Sequence, residues 1–161
     1  MLRALDLALL RLLRTRGHAP LVELVVLRYS RLGDHGSLWL WLAVVGALVD
    51  HRRRPLYLRA LRTVAVTFLL NYATKIAIRR ARPLLEDLPP LSPTVSSLSY
   101  PSAHASTSFA GAHALSAVVP APPLYAAAVA MALSRPYLGI HYPSDVIAGA
   151  ALGAALGRLV P

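Results

Sequence analysis

Three short segments carry residue types that apolar helices seldom hold. The first reads Lys75-Ile-Ala-Ile-Arg79-Arg80-Ala-Arg82-Pro83. Continued as a helix, it sets Lys75, Arg79 and Arg82 at i, i+4 and i+7 on one side, with Asn71 one turn earlier. Cations in a membrane helix are costly and need an anionic or aqueous partner. Only Glu86 and Asp87 follow closely, so a bound anion is a good candidate. The second segment reads Tyr100-Pro101-Ser102-Ala103-His104. Ser102 before an apolar run predicts an N-cap. The helix start then offers free N–H groups and a positive dipole end to a phosphate, with His104 at its mouth. The third runs from Ser134-Arg135-Pro136 to His141-Tyr142-Pro143-Ser144-Asp145. Pro143 favours a first helical turn. Asp145, four residues after His141, reaches the imidazole. A carboxylate on Nδ1–H leaves Nε2 as an oriented nucleophile.

Taken singly, each segment has a plainer reading. Arginines flanking an apolar helix anchor it at the interface. Pro-Ser before a helix is simple capping. A lone His–Asp pair is often structural.

Taken together, Lys-x6-Arg-Pro, Pro-Ser-x-His and Ser-Arg-x5-His-x3-Asp stand in the order and spacing of a known family. They are Lys75…Arg82-Pro83, Pro101-Ser102-Ala103-His104 and Ser134-Arg135…His141…Asp145. The chain resembles the type 2 phosphatidic acid phosphatase (PAP2) superfamily over about residues 37–159. Ala103 stands where glycine is most usual, and its backbone N–H serves equally. The resemblance implies that Lys75, Arg82 and Arg135 grip phosphate oxygens with Ser102 and the Ala103 N–H. It also implies that His141 attacks phosphorus, that Asp145 orients His141, and that His104 serves as acid and then as base. No cofactor and no metal are implied, and no acidic cluster is present to hold a cation. Arg79 and Arg80 lie outside the motifs, and their roles stay open. Two other readings remain: a non-catalytic anion-binding membrane protein or channel, and a haloperoxidase-like vanadate site. The resemblance implies a lipid phosphatase acting on a phosphomonoester or pyrophosphate of a polyprenyl lipid or glycerolipid. The short chain is similar to small bacterial members, including those that act on polyprenyl-linked sugar phosphates such as decaprenylphosphoryl-5-phosphoribose, while undecaprenyl pyrophosphate, phosphatidylglycerol phosphate and phosphatidic acid stay open as substrates.

Composition sets what must position these groups. The chain has 161 residues, 56% hydrophobic and 15% charged. Soluble domains carry ~25% charged residues, so the expected setting is the cell membrane, with a membrane lipid as partner. The apolar content excludes intrinsic disorder. Zero Cys excludes a disulfide scaffold and Cys-ligated metal sites. The net charge is +10, but the arginines flank apolar runs instead of clustering with exposed aromatics, so no nucleic acid partner is expected. Sixteen of the 17 basic residues are Arg, which singles out Lys75 as a lysine kept for its shape.

The pattern predicts an all-α fold, an integral membrane bundle of about five membrane helices in a single domain spanning 1–161. These fall at about 37–50, 60–80, 103–119, 122–135 and 144–159. Residues 1–32 form interfacial helices, the first of them basic and amphipathic. Trp39 and Trp41 suit an interfacial aromatic belt. Gly149, Gly153 and Gly157 recur every fourth residue, a face for close helix packing. Arg52, Arg53, Arg54, Arg59 and Arg62 put the 51–62 linker in the cytoplasm. Counting crossings, the 81–103 loop and the 135–144 turn share the extracytoplasmic face, while residues 1–32 stay on the inner surface or partly re-enter from it.

Overall fold

The computed structural model describes residues 2–94 and 96–160. Seven α-helices account for most of them: α1 (Leu2–Thr15), α2 (Pro20–Arg31), α3 (Ser37–Val49), α4 (Arg54–Ile78), α5 (Ala103–Leu115), α6 (Ala121–Tyr137) and α7 (Pro143–Leu159). The fold is all-α, as the apolar periodicity predicts. The only β feature among the described residues is an isolated antiparallel bridge between Ala81 and Leu98, which pins together the ends of the long Pro/Ser loop.

The centre of the bundle is α5, which packs on α4, α6 and α7. Ten of its 13 residues are buried, and nearly all are Ala, Ser, Thr or Gly. A helix buried on every side needs small residues so that its neighbours can come close. The glycine face of α7 meets it. A Cβ on Gly149 would lie 2.5 Å from the Ser102 carbonyl oxygen, and one on Gly153 would lie 2.1 Å from that of Ser106. The four-residue repeat is therefore a packing face.

Three expectations need correction. Trp39 is not interfacial: it is wholly buried, and its Nε1 donates to Ser108 Oγ at 2.9 Å. Trp41, two residues on and across the helix, is 66% exposed. Next, Arg79 does not share a face with Lys75 and Arg82. The α4 helix stops at Ile78, and Arg79 takes a left-handed C-cap (φ 54°), its N–H bonding back to the Lys75 carbonyl. Its side chain is exposed. Finally, α1 does not lie with the Arg52–Arg62 linker. Its Asp6 bonds to Ser144, Arg11 pairs with Asp87, and Arg14 donates to the Pro89 carbonyl, so it docks at the opposite end of the bundle.

Large apolar side chains such as Leu69, Ile147 and Leu159 point outward. One helical stretch, His51–Ile78, is long and apolar enough to cross a membrane, and Pro20–Arg31 with Asp34–Val49 passes only as a pair bent by 49°. Helices α5, α6 and α7, at 13 to 17 residues, are shorter than the ~20 residues that cover a ~30 Å hydrocarbon core.

Candidate active site

Four of the bundle's helices bring the predicted residues to one end. Lys75 sits in the last turn of α4, 5% exposed, its Nζ donating to the carbonyls of Ser99 (3.0 Å) and Leu98 (3.4 Å). The break after α4 turns Arg82 back over the site. Its Nε donates to the Ser96 carbonyl at 2.7 Å, and its Nη1 to the Ile140 carbonyl at 2.6 Å and to His141 Nε2 at 3.1 Å. A guanidinium only donates. His141 Nε2 is therefore an acceptor, and the ring proton lies on Nδ1, 3.4 Å from Asp145 Oδ2. This is the tautomer a nucleophilic Nε2 requires.

Asp145 holds its place as the first-turn acid of α7. The Tyr142 N–H donates to its Oδ2 at 2.9 Å, and Ser99 Oγ donates to the same oxygen. His141 lies in the turn between α6 and α7. Burial, above all, pushes its pKa down to about 3; the bond to Asp145 opposes this, and the nearby Arg82, Arg135 and Lys75 add to it. The imidazole is neutral at any ordinary pH.

His104 begins α5. Its Nε2 lies 3.1 Å from the Ser30 carbonyl and 3.3 Å from Asp34 Oδ1. The bond to His104 holds the Asp34 carboxyl below its usual range. Gly33 makes room for the ring, since a Cβ there would lie 2.7 Å from His104 Cδ2. Arg135, near the end of α6, is 6% exposed; its Nη1 donates to Ser30 Oγ, and its Nε is buried with no partner among the described residues.

Lys75, Arg82, Ala103, His104, Arg135 and His141 line one cavity of about 340 Å³. Ser102 does not line it. Ser102 is fully buried behind the wall, its Oγ accepting the Ala105 N–H at 3.4 Å and its own N–H donating to the Asp145 carbonyl at 2.9 Å. It ties the start of α5 to the start of α7. Asp145 also stands behind, reaching the cavity through His141. Among the described residues, no group of three or more His, Cys, Asp or Glu is arranged to hold a metal.

Ser30, Asp34, Ser99 and Arg80 are site neighbours that the motifs do not announce. Arg80 donates to Asp145 Oδ1 at 2.8 Å. The one available signal was scarcity. With seven acidic residues in the chain, each buried one must answer to a cation.

The PAP2 superfamily model matches residues 56–161. A decaprenylphosphoryl-5-phosphoribose phosphatase of Mycobacterium tuberculosis is 40% identical over 134 residues, 81% of this chain and 74% of that protein. The crystal structure of a transmembrane PAP2-type phosphatidylglycerolphosphate phosphatase from Bacillus subtilis superposes with a TM-score of 0.82 at 28% identity, covering 99% of this chain and 84% of that one. That of Aquifex aeolicus LpxE gives 0.82 at 25% identity, over 97% and 94%. With three motifs converging on one cavity and a family match over most of its length, the chain belongs to the PAP2 superfamily.

Proposed function

We propose that this chain is a membrane lipid phosphatase that works through a phosphohistidine on His141 and takes a polyprenyl-linked sugar phosphate. The observation that carries the reading is one cavity wall holding three cations, a neutral histidine whose Nε2 lone pair faces Arg82, and a second histidine. Phosphoryl transfer is mainly positioning and charge stabilisation. Lys75, Arg82 and Arg135 supply the charge, and the first N–H groups of α5 add the helix dipole.

The incoming phosphate takes over the Arg82 bond now made to His141 Nε2. The freed Nε2 lone pair attacks phosphorus as the bond to the leaving oxygen breaks, and His104, entering this step as the imidazolium paired with Asp34, gives that oxygen a proton and is left neutral. Asp145 stabilises the positive ring. In the second half, His104 takes a proton from water, the water oxygen attacks phosphorus, and the P–N bond breaks to release inorganic phosphate. The lipid class follows from the relatives' names and from the outward apolar faces, which keep the cavity in reach of a lipid-borne phosphate.

The site is taken to open on the extracytoplasmic face. Arg53 donates to the Val118 carbonyl and Arg59 to that of Val160, so the arginine-rich linker lies at the end away from the cavity, and such clusters stay in the cytoplasm. The deciding assay is phosphate release from polyprenyl-linked sugar phosphate in detergent. Wild type is expected to turn over in EDTA, to be inhibited by vanadate, and to lose activity by several orders of magnitude as His141→Ala. Activity in His141→Ala, or loss in EDTA, refutes the mechanism. A cysteine at Ser97 is expected to react with an impermeant thiol reagent in intact cells, and one at Arg54 is not; the reverse pattern refutes the orientation.

A further inference from the structure

Arg80 belongs to none of the three motifs, yet it reaches into the back of the site. Its Nη1 donates to Asp145 Oδ1 at 2.8 Å and to Ser144 Oγ at 2.7 Å, and its Nη2 donates to Asp6 Oδ2 at 2.8 Å. The guanidinium carbon lies 4.1 Å over the centre of the Tyr142 ring. Asp6 comes from α1, at the far end of the sequence. It also accepts the Ser144 N–H at 2.9 Å and the Ser144 hydroxyl. The Asp6 and Asp145 side chains are 8% and 0% exposed, and that of Arg80 is 27% exposed.

The two Asp145 oxygens are thus held by different parts of the chain. Oδ2 receives Tyr142 N–H, Ser99 and His141, while Oδ1 receives Arg80. Removing the Oδ1 partner would leave a buried carboxylate oxygen unmatched, and the carboxylate would turn to repair the loss. A guanidinium is a planar fork whose hydrogen bonds fix direction as well as distance. Ser144 and the Tyr142 ring hold part of that fork, and Asp6 fixes its other arm. Against burial, which works to raise its pKa, the bonds from Ser144 and Arg80 hold the Asp6 carboxyl below its usual range, so it stays anionic for the task.

We propose that Asp6 of α1 is a positioning residue that acts through Arg80 to set the plane of Asp145 and so the aim of His141. The inference rests on the phosphohistidine reading above. It brings into the reaction a helix that lies outside the matched family region, 56–161.

The competing explanation is that α1 merely needs to stay docked. The Arg11–Asp87 pair separates the two, because it tethers α1 to the loop with both side chains more than half exposed and touches nothing in the site. The test measures kcat, KM and inhibition by inorganic phosphate for Asp6→Asn, Asp6→Glu, Arg80→Lys and Arg11→Gln at equal folded, detergent-extracted protein. Outer-shell groups that orient the ligands of metal sites are typically worth roughly 10- to 100-fold in activity, and the same scale is taken for a group that orients Asp145 here. Asp6→Asn is expected to lose that much in kcat with KM and the phosphate inhibition constant unchanged. Asp6→Glu restores most of the loss, Arg80→Lys falls between, and Arg11→Gln matches wild type. In an Asp145→Asn background, adding Asp6→Asn changes the residual rate by less than about 2-fold, as for two residues on one path.

Wild-type kcat in Asp6→Asn overturns the proposal, as does a loss that multiplies in full with that of Asp145→Asn. So does an equal loss in Arg11→Gln. Should Asp6→Asn not fold, Arg80→Lys carries the same comparison. His141→Ala is run alongside. If it keeps activity, the phosphohistidine reading itself fails; if it is inactive while Asp6→Asn is normal, only the role of Asp6 fails.

Discussion

Lys75→Arg keeps the charge at a buried cation of the site and changes only its shape. The Lys75 ammonium has three donors; two meet the Ser99 and Leu98 carbonyls, and one remains for the cavity that Lys75 lines. The loop carrying those carbonyls cannot retreat freely. It is closed by the Ala81–Leu98 bridge and by the Ser99 N–H on the Arg80 carbonyl at 2.7 Å. Arg82 and Arg135 already present two planar forks to the same space. A third fork must push against a packed wall, and overpacking typically costs ~1–3 kcal/mol. If that strain falls on the transition state, the rate drops roughly 5- to 150-fold at ~1.36 kcal/mol per decade. The assay is phosphate release at equal extracted protein, with Arg79→Lys as the control, since Arg79 is exposed and off the cavity. Arg79→Lys is expected to match wild type. If Lys75→Arg turns over like wild type as well, Lys75 is a generic charge and the shape argument is wrong.

Three further outcomes follow from the geometry. Because kcat/KM reports ionisations of the free enzyme, and burial holds the His141 pKa near 3, protonating the nucleophile removes activity only as pH falls toward 3. A His141 imidazole seen by NMR to titrate near 6.5 in the free enzyme would contradict this. Asp34→Asn weakens the partner of His104 at a carboxylate that is half exposed. The expected loss is at most about 5-fold, the scale of an exposed ion pair, and a loss beyond 100-fold in the same phosphate-release assay would show Asp34 doing more than orienting. Gly153→Ala puts a Cβ 2.1 Å from the Ser106 carbonyl oxygen, a backbone atom that cannot swing away. Prying α5 from α7 costs ~1–3 kcal/mol, seen as a melting midpoint several degrees lower in detergent; an unchanged midpoint would mean the helices are not in contact there.

The sequence made the candidate site readable for a physical reason. Each of its motifs sits at a helix end, where backbone rules fix geometry over a few residues. Ser102 is found capping α5 and Pro143 starting α7, so the i, i+4 relation of His141 and Asp145 could be trusted across the turn. Spacing failed where it assumed that a helix continues. Lys75, Arg79 and Arg82 fit one face only on an unbroken helix, and the left-handed cap at Arg79 ends α4 first. Trp39 failed for a related reason. An aromatic near a helix start suits an interface equally well, and only the buried Ser108 hydroxyl across the bundle decides otherwise.

The residues that stayed hidden are those whose meaning depends on distant partners. Ser30 meets Arg135 across 105 positions and Asp34 meets His104 across 70, and no local pattern marks a serine that will sit between two groups of the candidate site. Their position in the fold nonetheless follows from electrostatics. The cavity gathers Lys75, Arg82 and Arg135 without a facing cluster of acids. Such a site would repel itself when empty unless carbonyls, hydroxyls and a few carboxylates occupied the cations' free donors. The carbonyls of Ser96, Leu98, Ser99 and Ile140 do this for Lys75 and Arg82, and the Ser30 hydroxyl does it for Arg135. Those neutral acceptors are strong enough to hold the cations in place and carry no charge to compete with a phosphate. The long Pro/Ser loop and the end of α2 are therefore as much part of the candidate site as the cations they restrain.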